Sequence, residues 1–283
     1  MLGRMVRLHL ATEPGFAVEW TSRREETGAL IFQANLPGSL VDLAKRRGDY
    51  DYVVNCIAVL KKAAEGPEPE AAAEAHQINA VFPHELAQLA SEIGFRLVHV
   101  STDAVFAPES GSCFESDIPV PADLYGRTKL LGEPSAPNAL TVRCSIIGPN
   151  PVKKTGLLEW LLGQPRHATI TGYEDQLWRG ATTLQFAKLC ARIFQGNLFE
   201  QLRGESSVHH FCPNRVVTKY QLLELLCRRF RPDIGVERAS GGAINRVLES
   251  RGMLREICGA ELPMDVAIEE LSTYIDGPKA GGM

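Results

Sequence analysis

The sequence predicts an α/β protein built on a doubly wound parallel sheet, with a smaller C-terminal lobe beside it. Two observations carry this. Short apolar runs alternate with helical stretches through the first half, which is the pattern of βαβ units. The runs VVNCIA and LVHVS are apolar at nearly every position, as expected of strands covered by helices on both faces. Residues 1–150 are expected to form the sheet domain. Residues 151–283 are expected to form mainly the second lobe, with some segments returning to the sheet.

The chain opens on MLGRMVRLHLATEPGF, basic and without an acid before Glu13. An organelle transit peptide has this composition. The preferred reading is a helix with Leu2, Met5, Val6 and Leu10 on its apolar face, ended by Pro14 and Gly15 before a strand FAVEWTS. There follow a strand in YDYVVNCIAVL, a helix in HQINAVFPHELAQLASEIG, a strand in FRLVHVST, a helix from YGRTKLLGE and a strand in ALTVRCSIIG. The second half is less regular. Links GPNPVKKTG and GQPRH separate helices at LLEWLL and TTLQFAKLCARIF, and a strand VHHFC precedes a helix in TKYQLLELLCRRF. The final GGM is expected to be mobile.

Bulk properties exclude several classes of function. With 283 residues, 45% of them hydrophobic, the chain can bury a large core. A net charge of −4 with scattered cations offers no field for nucleic acid. No apolar run approaches the roughly 20 residues that span a bilayer. Seven widely spaced cysteines without a CxxC pair fit thiols in a reducing cytoplasm.

The most informative spacing is Tyr125 followed by Lys129, with Thr102 at the end of LVHVST. Positions i and i+4 share a helix face, so the Lys129 ammonium is expected beside the Tyr125 phenol. A neighbouring cation favours phenolate and brings the phenol towards a working pH. The Thr102 hydroxyl would hold a substrate carbonyl oxygen. Alone, YxxxK also describes an ordinary exposed helix face; its place after a strand ending Ser101-Thr102-Asp103 favours chemistry.

These residues carry a resemblance. FRLVHVSTDAVF, the loop FESDIPVP, LYGRTKLLGE and LTVRCSIIGP together resemble the dTDP-4-dehydrorhamnose reductase group of extended short-chain dehydrogenases, which are Rossmann-type proteins. The similarity extends through DYVVNCIA, HQINAVFPHELA, GLLEWLL and RGATTLQFAKL and weakens after about residue 230. It implies reduction of a 4-keto-6-deoxy nucleotide sugar by NADPH or NADH, in deoxysugar synthesis for a surface polysaccharide. Tyr125 would protonate the oxygen, Lys129 would tune the tyrosine and bind the nicotinamide ribose, and Thr102 would fill the serine or threonine position.

The matching cofactor positions are Gly3, Ala58, Asn79 and Ser145 to Ile147. Asn79 can equally be a helix residue satisfying a nearby turn. Arg23 and Arg24 follow FAVEWT, where arginine suits the 2′-phosphate of NADPH and an acid would suit NADH. The resemblance also implies a possible homodimer. A non-catalytic, dinucleotide- or partner-binding relative is the competing reading of the same fold.

The sequence departs from the group in two respects. The group opens with a strand and a GxxGxxG turn, and this chain starts inside that turn, with Gly3 as the matching last glycine. A truncated start is the favoured explanation and a degenerate cofactor site the other, since losing a central strand leaves ladder groups unpaired. Ala104 and Ile146 stand where the group has aromatic residues, so a different 4-keto sugar is open. Three further features have structural readings. His209, His210 and Cys212 alternate faces along a strand and do not make a metal set. Trp160, Trp178 and Arg179 either grip a nucleotide or pack the lobe. Cys144 is expected to be a buried thiol.

Overall fold

A computed structural model describes residues 1–36, 38–45 and 48–277. The GGM tail expected to be mobile lies outside these described residues. At the centre, β3 (Tyr52–Asn55), β4 (Arg96–Thr102), β5 (Ala139–Cys144) and β6 (Val208–Phe211) form one parallel sheet in that order. The apolar runs that predicted covered strands are these. Along β4, Leu97 belongs to the core on one face and Val98 to the core on the other.

One face is covered by α1 (Leu2–Leu10) and α4 (Thr183–Gln195). Leu2, Met5, Val6 and Leu10 pack there with Val98, Leu140 and Val142, so the apolar stripe read from the sequence is the buried one. The opposite face takes α2 (Phe82–Ile93) through Phe82, Leu86 and Ala90. Helix α3 (Leu124–Leu131) leaves the C-terminal edge of the sheet and is capped by Asp123, whose Oδ1 accepts the Gly126 N–H at 2.7 Å. A separate core joins Ile147, Leu158, Ile170 and Trp178 to α5 (Lys219–Phe230) and α6 (Met264–Asp276).

Two elements differ from their sequence expectation. FAVEWTS is predicted as a strand, but only β1 (Thr21–Ser22) is paired, in parallel with β2 (Leu30–Ile31). This ribbon is separate from the four-stranded sheet, and β3 ends that sheet. Trp20 extends that pairing by accepting the Leu30 N–H at 2.9 Å, whereas residues 16–19 and β3 both line a cavity and are not paired with each other. The helix expected over HQINAVFPHELAQLASEIG is interrupted by a π-helical turn, Gln77–Val81. Pro83 has no N–H for the carbonyl of Asn79, which breaks the regular ladder at that point.

No helix among the described residues is long and apolar enough to cross a membrane.

Candidate active site

The C-terminal ends of β3, β4 and β5 open into one cavity of about 2230 Å³. Gly3, Arg23, Ala58, Thr102, Tyr125, Lys129 and Ser145 all line it. The parallel sheet explains the convergence, because successive strand ends and the turns after them meet along a single edge. Gly126 lets α3 approach this edge. A Cβ there would lie 2.1 Å from the carbonyl oxygen of Ala104, in the turn that follows Thr102.

Thr102 is buried; its Oγ1 donates to Asp103 Oδ1 at 3.1 Å and accepts the Ala104 N–H at 3.2 Å. The Tyr125 phenol is pushed up to about 12, chiefly by burial of its hydroxyl, while a hydrogen bond with Thr102 opposes the rise. Lys129 is only 2% exposed, and its Nζ donates to the Val100 carbonyl at 2.7 Å and lies 3.3 Å from His99 Nε2. Burial brings the Lys129 ammonium down to about 8, against the opposing charge of Glu133.

The sequence argument that Lys129 makes Tyr125 acidic is therefore corrected here. The two residues share the helix face and the cavity, but Nζ is turned to Val100 and His99, and burial dominates the phenol. The Tyr125 phenol keeps its proton at neutral pH.

Two expected site residues do not line the cavity: Ile147, which is buried in the second core, and Asn79. Its Oδ1 accepts the Val59 N–H at 2.8 Å, and its Nδ2 donates to the Val59 carbonyl at 2.9 Å and to Thr128 Oγ1 at 3.1 Å. The amide is hydrogen-bonded to protein partners, and the residue ties the loop bearing Ala58 to α3. Ser145 lines the cavity while its Oγ accepts the Trp178 indole N–H at 2.9 Å.

The rim is cationic. Lys153 is held below the usual lysine range by partial burial and by Arg23. Arg4 and Arg23 line the cavity together with Lys153. Clustered cations suit a phosphate group. Sequence reading missed Lys153, Asn55 and His99. A signal was available for His99, the one ring nitrogen pair in the apolar run LVHVS.

The other polar clusters are structural. His209 Nε2 contacts the Leu202 carbonyl at 3.0 Å, whereas His210 Nδ1 contacts those of Cys113 and Glu249 at 3.2 and 2.9 Å on the opposite side. Among the described residues no set of His, Cys, Asp and Glu is placed to hold a metal ion. Arg179 is engaged by Glu249, Glu261 and the Asn214 carbonyl, and Trp178 is buried in the second core.

Fold and site together define a Rossmann-type α/β protein with a tyrosine-and-lysine helix at the edge of its sheet. Comparison gives the particular group: residues 34–238 match the profile of the RmlD substrate binding domain, and the chain belongs to that family. It is 39% identical over 99 residues to a dTDP-4-dehydrorhamnose reductase of Mycolicibacterium smegmatis, a stretch covering 33% of this chain and 29% of that protein. The matched stretch thus spans less than a third of that relative's length. Among solved structures, a dTDP-4-dehydrorhamnose reductase of Clostridium acetobutylicum superposes with a TM-score of 0.77 at 20% identity, over 98% of this chain and 96% of the other. The Bacillus anthracis dTDP-4-dehydrorhamnose reductase in complex with NADP gives 0.67 at 19% identity, over 87% of each chain. At these identities the structural likeness establishes the fold.

Proposed function

We propose that this protein is an NAD(P)H-dependent reductase of a 4-keto-6-deoxy nucleotide sugar, with dTDP-4-dehydrorhamnose as the first substrate to test. The observation that carries this reading is the meeting of Thr102, Tyr125 and Lys129 on one cavity wall, with the Thr102 and Tyr125 hydroxyls in contact. NADP in the Bacillus anthracis relative and the reductase names of the similar proteins support it.

Fit to the cofactor is supported by the cationic rim of Arg4, Arg23 and Lys153. Gly3, Arg23, Ala58 and Ser145 would hold it, and NADPH, when bound, would supply hydride to the sugar's carbonyl carbon. Thr102 would donate a hydrogen bond to the keto oxygen, fixing it against Tyr125. The Tyr125 Oη would then give its proton to that oxygen as negative charge develops. A phenol held at about 12 is protonated throughout the neutral range and so is ready to act as the acid. Lys129 would sit under the nicotinamide ribose and return charge balance to the tyrosine.

The second core, between the link after Ile147 and α6, is proposed as the lobe that selects the sugar. Ile146 lines the cavity, so its smaller side chain bears on which sugar fits, whereas Ala104 is buried and does not line it. A cytoplasmic place is proposed on the seven free cysteines. Self-association into a homodimer would be read by analytical ultracentrifugation. The direct test of function is incubation with NADPH and dTDP-4-dehydrorhamnose, following cofactor oxidation and identifying the sugar product. Turnover supports the reading; no oxidation with this or other 4-keto-6-deoxy nucleotide sugars would overturn it.

A further inference from the structure

Beneath Lys129 lies a buried polar pair that the catalytic scheme does not use. Asn55 ends β3 and is 3% exposed, and His99 in the middle of β4 is fully buried at 0%. The Asn55 Oδ1 accepts the Ile57 N–H at 3.0 Å, which fixes the amide's orientation. Its Nδ2 therefore faces His99 Nδ1, at 3.1 Å. An amide nitrogen only donates, so Nδ1 must accept. Burial keeps the ring neutral, and its single proton is thereby placed on Nε2.

That Nε2–H points at Lys129 Nζ across 3.3 Å. An ammonium there would set donor against donor, whereas a neutral amine accepts the ring proton and still donates to the Val100 carbonyl at 2.7 Å. We propose that Asn55 and His99 are positioning residues that pin the Nε2–H tautomer under Lys129 and so favour its neutral amine over the ammonium. The inference rests on the assignment of Lys129 to the reductase site. The other titratable groups facing the pair are Glu133 on the segment after α3, Cys144 on β5, Cys56 after β3 and His84 on α2. Glu133 is already paired with Arg143, so its pull on Lys129 is shared.

The test reads the ring directly, in the full chain and without turnover. Long-range proton–nitrogen NMR of ¹⁵N-labelled protein is expected to show His99 as the neutral Nε2–H tautomer from about pH 6 to about pH 9. Labelled-lysine NMR should place the Lys129 midpoint at about 8. In Asn55→Asp the carboxylate can accept both the Ile57 N–H and a ring Nδ1–H. The ring should switch to the Nδ1–H tautomer and the Lys129 midpoint rise by ~1 unit or more. A wild-type ring protonated on Nδ1, a charged ring, or a switched ring with an unmoved Lys129 midpoint would overturn the inference. The expected tautomer and midpoints support it whatever the turnover, and absence of turnover counts against the reductase reading alone.

Discussion

Arg143 and Glu133 are joined by two parallel hydrogen bonds, Nε to Oε1 at 2.9 Å and NH2 to Oε2 at 2.7 Å, with side chains only 5% and 6% exposed. Ser101 Oγ donates to the same Oε1 at 2.6 Å. The pair thus ties β4 and β5 to the segment following α3, the helix that carries Tyr125 and Lys129. Removing one partner strands a charge in the interior. Arg143→Met is expected to lose about 3–5 kcal/mol in denaturant unfolding, and the double variant Arg143→Met with Glu133→Gln to recover part of it. A single variant as stable as the parent would show that the pair does not hold the helix.

Gly126→Ala should be costly for a different reason. Its Cβ would lie 2.1 Å from the Ala104 carbonyl oxygen and 2.9 Å from Pro121, so α3 must move off the Thr102 turn. Loss of about 2 kcal/mol or more is expected, together with reduced turnover. Gly204, on the helix Phe199–Glu205, has nothing within 4 Å of its Cβ position. Gly204→Ala should be neutral or stabilising by up to ~1 kcal/mol in the same melt.

Much of this architecture was legible in the sequence, because its strongest signals are local. The stripe Leu2, Met5, Val6, Leu10 is the buried face of α1, and the all-apolar strands became the central sheet. Thr102, Tyr125 and Lys129 were found because strand end and helix repeat fix where they meet. What could not be read was long-range. Which way Lys129 turns depends on His99, 30 residues away in sequence, and the fate of the Asn79 amide depends on Val59 and Thr128. FAVEWTS has strand composition, but a strand also needs a neighbour, and composition does not report one.

Lys129 gives a stability prediction with a definite sign. Its folded midpoint, about 8, lies below its ordinary value of 10.5. Between those values the unfolded chain binds the extra proton, so this residue's contribution to stability rises with pH across that window and is least below about 8. Lys129→Met should remove that rise. Below the window the variant is expected to be more stable by on the order of 1–3 kcal/mol, as read from thermal unfolding at several pH values. An unchanged pH slope in the variant would count against a depressed lysine.

Arg23 bears on cofactor choice. It lines the cavity beside Lys153, and that clustering suits a 2′-phosphate. Arg23→Ala is expected to weaken NADPH binding by about tenfold, corresponding to ~1.4 kcal/mol, and to leave NADH binding within about twofold. Fluorescence titration with both cofactors reads this. Equal losses for the two would remove the 2′-phosphate assignment.

The claim on which the account turns is that Tyr125 delivers the proton. The measurement is NADPH oxidation with dTDP-4-dehydrorhamnose by the parent chain and by Tyr125→Phe, alongside NADPH titration of each. The account predicts turnover by the parent, a fall of about 10²–10⁴-fold in kcat for the variant, and cofactor binding within about threefold. Equal kcat in the two proteins would contradict it.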